Sequence, residues 1–229
     1  MSTPSLTTTS YAVLGLLAIK PWSSYELTQQ MDRSLGRVWP RAVSKLYEEP
    51  KKLASHGLAT SAVQQSGQRT RTIYTITAKG RQALADWLGQ PGDGPVLEYE
   101  QLLKVFFAEN GTKADLLATL AAAQAWAQAR SAESLDIGEQ YRTGGGPFPG
   151  RLPELQLTSR FLTDFYLLVG QWASWASAIV ETWPDDPSQA RHDPAVIAET
   201  VRRAADGATA FSGQSTLERG EERRDVAGD

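Results

Sequence analysis

Cysteine is absent from the 229 residues, which excludes disulfides, thiolate-bound metals and cysteine nucleophiles. Histidine occurs only as His56, at the end of a helical pattern, and His192, in a Pro-bounded stretch. Neither has a partner at a spacing that would make a metal site or a catalytic pair. No H-E-x-x-H, G-x-S-x-G or G-x-x-x-x-G-K-[ST] run is present, so zinc, acyl-transfer and nucleotide chemistry lack their scaffolds. The expectation is a protein that is not an enzyme and that needs neither metal nor cofactor. Long uninterrupted apolar runs are also missing: the most apolar stretch, Phe161 to Val180, contains Asp164, Gln171, Ser174 and Ser177, and an intramembrane carboxylate is costly. The opening MSTPSLTTTS has neither the basic nor the apolar segment of a secretory signal. The sequence therefore predicts a cytoplasmic chain with no membrane partner.

What is present is ordinary globular usage, 41% hydrophobic and 21% charged, enough to bury a core. The formal net charge of −3 conceals an asymmetry. Residues 1–90 hold 11 Lys/Arg against 5 Asp/Glu, a net of +6, and residues 91–229 hold 12 against 21, a net of −9. Such a division points to a basic binding domain joined to something else. Composition shifts at Gly89 to Pro95, where Gly and Pro are too dense for a helix or strand. The domains expected are 1–90, a 91–97 linker, a helical 98–183 region, a short helical appendage at 184–206 and a disordered, charged tail at 207–229.

In the first domain, Tyr11, Leu14, Leu17 and Ala18 recur at helical spacing up to Pro21. Ser23-Ser24-Tyr25-Glu26 reads as a capping box opening a second helix that buries Leu27, Met31 and Leu35. A third helix spans about Arg41 to His56 and closes at Gly57, whose missing Cβ suits a left-handed helix end. At about 100° per residue this helix divides into two arcs. Val43, Leu46, Pro50, Leu53 and Ala54 form the core arc, with a kink expected at Pro50. Arg41, Ser44, Lys45, Glu48, Lys52 and Ser55 form the outward arc. Two strand-like runs follow, about Ala59 to Gln64 and Thr70 to Thr77, joined by a polar turn. Thr77 caps a fourth helix with Leu84, Trp87 and Leu88 inward. This order is that of a winged helix-turn-helix.

A recognition helix needs basic or hydrogen-bonding side chains toward the groove, because base edges and phosphates are bound by such groups. Arg41, Ser44, Lys45 and Lys52 meet that need. Arg69 and Arg71 in the hairpin suit phosphate or minor-groove contacts of a wing. Tyr47 lies at the edge of the core arc and can pack its ring while offering its hydroxyl to a phosphate. Double-stranded DNA is the partner these residues predict.

Five segments in order carry a family resemblance: Tyr11 to Leu17, Ser24-Tyr25-Glu26-Leu27, Ser44 to Leu53, Gly57-Leu58-Ala59 and Tyr74 to Gly80. Together they resemble the PadR family of bacterial transcriptional regulators. The resemblance implies a winged-helix repressor acting as a homodimer, with a C-terminal helical dimerisation region as in the longer-tailed branch. It also implies release from DNA by a small effector. One departure from the family pattern is that Pro50 stands three residues after Tyr47.

Past the boundary every pattern is helical, so the fold class expected is mainly α with a small β-hairpin. A short helix carries Tyr99, Leu102, Leu103, Phe106 and Phe107. A long Ala-rich one runs from Thr112 to about Tyr141, roughly 45 Å at about 1.5 Å per residue. In the last long helix Phe161, Phe165, Leu168, Trp172, Trp175 and Ile179 are spaced 4, 3, 4, 3, 4. That spacing is a heptad seam and predicts a homodimer. Trp126, Trp172 and Trp175 are candidates for lining a pocket for a small aromatic or drug-like effector. The competing reading is a helical adaptor whose winged domain contacts protein rather than DNA.

Overall fold

The computed structural model describes residues 6–40, 43–66 and 69–225, with the side chains of all but 43–45, 66, 69 and 211–225. Two units divide at Val96 and Leu97. In the first, Thr7 opens α1 (Thr8–Ile19) with a reciprocal cap to Ser10. A two-residue strand β1 (Trp22–Ser23) follows. Ser23 then caps α2 (Ser24–Gln30), with Glu26 returning the bond as the capping box predicts. A π-type turn, Met31–Leu35, continues α2. The third helix, α3 (Val43–Ser55), runs through Pro50 without a break in its helical span. Pro50 is fully buried, so its ring fills core space where its lost N–H would otherwise weaken the turn.

Strands β2 (Ala59–Ser66) and β3 (Arg69–Ile76) make the hairpin, and α4 (Ala78–Leu88) is capped by Thr77 as expected. The sheet order is β1-β3-β2, antiparallel throughout, with Ala59 opposite Ile76 and Ser66 opposite Arg69. Only the root of the hairpin is buried, at Leu58, Ala59, Tyr74 and Ile76, while Thr60 to Gln65 are exposed. Val13, Leu14, Leu17, Leu27, Met31, Leu46 and Leu53 complete the core. The inward placing of Trp87 and Leu88 is corrected: Leu88 is 67% exposed, and Trp87 lies flat on Tyr11 with ring centroids 4.9 Å apart. The physical reason is that α4 lies on the surface of the unit, touching the core through Gly80, the one buried residue of that helix.

The second unit is helical in every described element. It comprises α5 (Glu100–Phe106), α6 (Lys113–Arg142), α7 (Leu152–Glu181) and α8 (Pro194–Asp225). The long pair α6 and α7 pack together. The face α7 buries is Leu162, Tyr166, Val169, Ala173, Ala176 and Val180. This set runs parallel to the predicted seam and lies one residue further along the chain. Its small members match Ala123 and Ala127 of α6, and a Cβ on Gly170 would sit 3.4 Å from that of Ala127. The predicted seam is thus left partly outside, with Phe161 61%, Leu168 58% and Trp175 49% exposed. Helix α8 continues past Gly207, where the sequence reading begins a disordered tail. Gly207 costs about 1 kcal/mol relative to Ala, and Ala204, Ala205, Ala208 and Ala210 around it are strong helix formers. No described helix is long and apolar enough to cross a membrane.

Candidate nucleic-acid interface

Three hydrogen bonds fix α3 in the first unit before any partner arrives. Ser10 Oγ, buried in α1, donates to Glu49 Oε2 at 2.8 Å. At the other end Thr77 Oγ1 donates to Gly57 O at 2.8 Å and Lys79 Nζ to His56 O at 2.9 Å. The helix therefore presents a fixed outward arc. Glu48, Lys51 and Ser55 on it are exposed, and Tyr47 and Lys52 are half-buried. Arg41 lies outside the described residues, as do the side chains of Ser44, Lys45 and Arg69, whose backbones belong to α3 and β3.

Lys52 and Arg71 have partners within the domain. Lys52 Nζ is 3.9 Å from Glu49 Oε1 and helps neutralise that partly buried carboxylate. Arg71 Nη1 lies 3.5 Å from Glu26 Oε1. Glu26 in turn accepts from Ser23 N at 2.8 Å and Ser23 Oγ at 2.7 Å. The Ser23 backbone and hydroxyl, then Arg71 and Lys20, hold the Glu26 carboxyl below its usual range against a smaller opposing effect of burial. One carboxylate thereby caps α2 and tethers the wing. Lys51 is the residue the sequence reading omits. It stands seven positions after Ser44, at the edge of the outward arc, and its ammonium pairs with Glu48 at 2.9 Å. That hydrogen bond raises the Lys51 pKa.

This geometry matches known proteins. Residues 13–86 match the transcriptional regulator PadR-like family. That match lies within the N-terminal unit. A curated relative, the negative transcriptional regulator PadR of Bacillus subtilis, is 35% identical over 99 residues, 42% of this chain and 54% of that protein. The chain spans about half the length of the curated relatives it matches. The fold extends further. The structure of Bacillus subtilis PadR with operator DNA superposes with a TM-score of 0.66 at 24% identity, over 76% of this chain and 99% of that one. The structure of the same relative with p-coumaric acid gives 0.61 at 23% identity, over 76% and 99%. The winged-helix fold with C-terminal helices is thus shared with that relative.

The three tryptophans named as pocket candidates are spread along the second unit. Trp126 is edge-on to Phe165 and Tyr166, at 6.3 and 5.5 Å between centroids. Trp172 is partly buried against Leu116, Leu120, Ala176 and Val180 and is edge-on to Tyr99 at 5.9 Å. Trp175 is half-exposed. An open groove of about 480 Å³ lies between α5 and the start of α6, lined by Leu103, Phe107 and Leu116, and it includes none of the three. Beside Trp172, the hydroxyl of Tyr99 is buried without a hydrogen-bond partner, and desolvation raises its pKa. No group of acidic or histidine side chains able to hold a metal occurs among the described residues.

Proposed function

We propose that the chain is a DNA-binding transcriptional regulator, a repressor that occupies an inverted-repeat operator as a homodimer in the cytoplasm and leaves it when a small molecule binds. The observation that carries this reading is the PadR-like domain itself, in which a rigidly held α3 presents a polar outward arc beside a solvated hairpin. Ser44, Lys45 and Tyr47 are assigned to the groove, with Arg41, Lys51, Lys52, Arg69 and Arg71 on phosphates. Arg71 and Lys52 would exchange their carboxylate partners for phosphate at modest cost, since half-exposed ion pairs are worth about 1 kcal/mol or less. The heptad-spaced residues of α7 that stay exposed, Phe161, Leu168 and Trp175, support the dimer, with Phe165, Trp172 and Ile179 at its border.

The effector reading rests on Tyr99 and Trp172. A buried hydroxyl without a partner, next to an aromatic face, suits a hydroxylated aromatic ligand that can supply the missing hydrogen bond. Bacillus subtilis PadR has been solved with such a molecule, p-coumaric acid. The test is duplex binding by fluorescence anisotropy, using an inverted repeat from upstream of the chain's own gene and a scrambled duplex. Preference for the repeat, relieved by p-coumaric acid or a related phenolic acid in the wild type but not in Tyr99→Phe, is the expected result. Equal affinity for both duplexes would overturn the operator reading. An equal response of wild type and Tyr99→Phe would overturn the assigned ligand position.

A further inference from the structure

Residues 1–90 hold 5 acidic side chains, and one of them stands where phosphates would repel it. Glu26 caps α2. Glu49 is turned inward, accepting from Ser10 Oγ at 2.8 Å with its side chain 15% exposed. Asp86 accepts from Gln82 Nε2 on α4 at 2.7 Å, and Asp32 lies on the π-type turn after α2. Glu48 is the acid of the outward arc of α3. Its side chain is 71% exposed, and its partner among the described residues is Lys51 Nζ at 2.9 Å.

Glu48 is central on that arc. At about 100° per residue, Ser44 and Lys45 set the limits of the arc, and Glu48 falls within about 10° of the line midway between them. Lys51 lies roughly 60° further round, at the edge. A helix laid in the major groove turns its middle line to the base edges and its flanks to the phosphate walls, and its N-terminal turns are the ones that reach bases. Glu48 is one turn beyond Ser44, in the first half of Val43–Ser55. The exposed pair with Lys51 binds its members weakly, so the two can part and face different groups.

We infer that Glu48 is a base-reading residue whose carboxylate accepts from the exocyclic amino group of a cytosine at the groove floor, while Lys51 turns from it to a phosphate on the wall. A carboxylate only accepts, and the donors in the major groove are cytosine N4 and adenine N6. Guanine presents N7 and O6, and thymine presents O4 and a methyl group, so neither offers it a bond. Adenine places its N7 acceptor beside N6, against the second carboxylate oxygen, which leaves cytosine favoured. A duplex without a donor at that position strips the carboxylate of water and returns nothing. Glu48 thus penalises wrong sequences as well as favouring the right one. This inference rests on the regulator reading and adds to it a residue that reads sequence.

The test is selection from a duplex pool of random inner sequence by the full-length wild type, Glu48→Ala and Glu48→Gln, with the bound fraction sequenced. Neither substitution touches the bonds from Ser10, Thr77 and Lys79 that fix α3. The wild type is expected to enrich cytosine at one position of each half-site. Glu48→Ala should lose that preference, roughly tenfold at that position, and keep the others. Glu48→Gln should select adenine there, because an amide bonds adenine N6 and N7 together. Glu48→Ala should also bind the unselected pool more tightly than the wild type, since a charge that phosphates repel is gone. One consensus shared by all three proteins would overturn the role of Glu48 and leave the regulator reading standing. So would weaker binding of every duplex by both variants with the consensus unchanged, which would make Glu48 a support of α3 only. A pool from which the wild type enriches nothing would overturn both.

Discussion

At Gly80 a Cβ would collide with the carbonyl oxygen of Leu58 and lie 2.9 Å from Ile76 Cγ1. The start of α4 rests directly on the root of the hairpin there, with Thr77 N donating to Leu58 O at 3.1 Å. Gly80→Ala must separate these backbones, and overpacking of this kind costs about 1–3 kcal/mol; thermal unfolding should show the loss, and an unchanged midpoint would contradict the close approach. Glu26 gives a second prediction, on acidity. Its folded pKa lies below the ordinary 4.5, so the stability it adds is present above the unfolded value and is lost as pH falls through the folded one. Glu26→Gln should cost roughly 1 kcal/mol at neutral pH, discounted because the side chain is 40% exposed. The gap between wild type and variant should narrow as pH falls below the ordinary 4.5 and close once it passes the lowered folded value. A gap that is constant across this range would show that charge has no part in the cap or the wing tether.

Between elements, α3 carries the sequence preference in this account. Lys45→Ala or Ser44→Ala should relax discrimination at one base pair by roughly tenfold, since a direct base contact is worth about 1–3 kcal/mol. Lys51→Ala should weaken all duplexes alike, because Lys51 stands at the edge of the arc, where an exposed charge suits a phosphate rather than a base edge. Equal weakening on every sequence for Lys45→Ala would make it a phosphate-binding residue too. The α3 arcs were legible in the sequence because Leu46, Pro50 and Leu53 repeat at helical spacing opposite polar residues, and the caps at Ser23 and Thr77 were legible because their chemistry is local. Strand β1 was not, since two residues carry no periodicity and Trp22–Ser23 become a strand only by pairing with Ile73 and Tyr74. The α7 faces were legible as a heptad but not as inside and outside. Phe161, Leu168 and Trp175 outrank Ala173 and Ala176 in size, yet the alanine-rich α6 selects the smaller set for close approach. Leu168→Asp with Trp175→Asp should therefore leave α6–α7 packing intact and convert a dimer of about twice 25.0 kDa to a monomer by light scattering.

Over the whole molecule, the +6 of residues 1–90 and the −9 of residues 91–229 assign attraction for DNA to one unit. They give the other a surface that repels it. Binding by such a chain is dominated by phosphates and falls with salt, because each phosphate neutralised releases counterions. The most direct test is duplex affinity across a salt series for the wild type and Arg69→Ala. The account predicts a linear fall of log affinity with log salt. In the variant that slope flattens by about one unit for each phosphate that a subunit no longer neutralises, or about two for a dimer. An affinity indifferent to salt, or no duplex binding at any salt, would contradict it and favour a winged domain that binds protein instead.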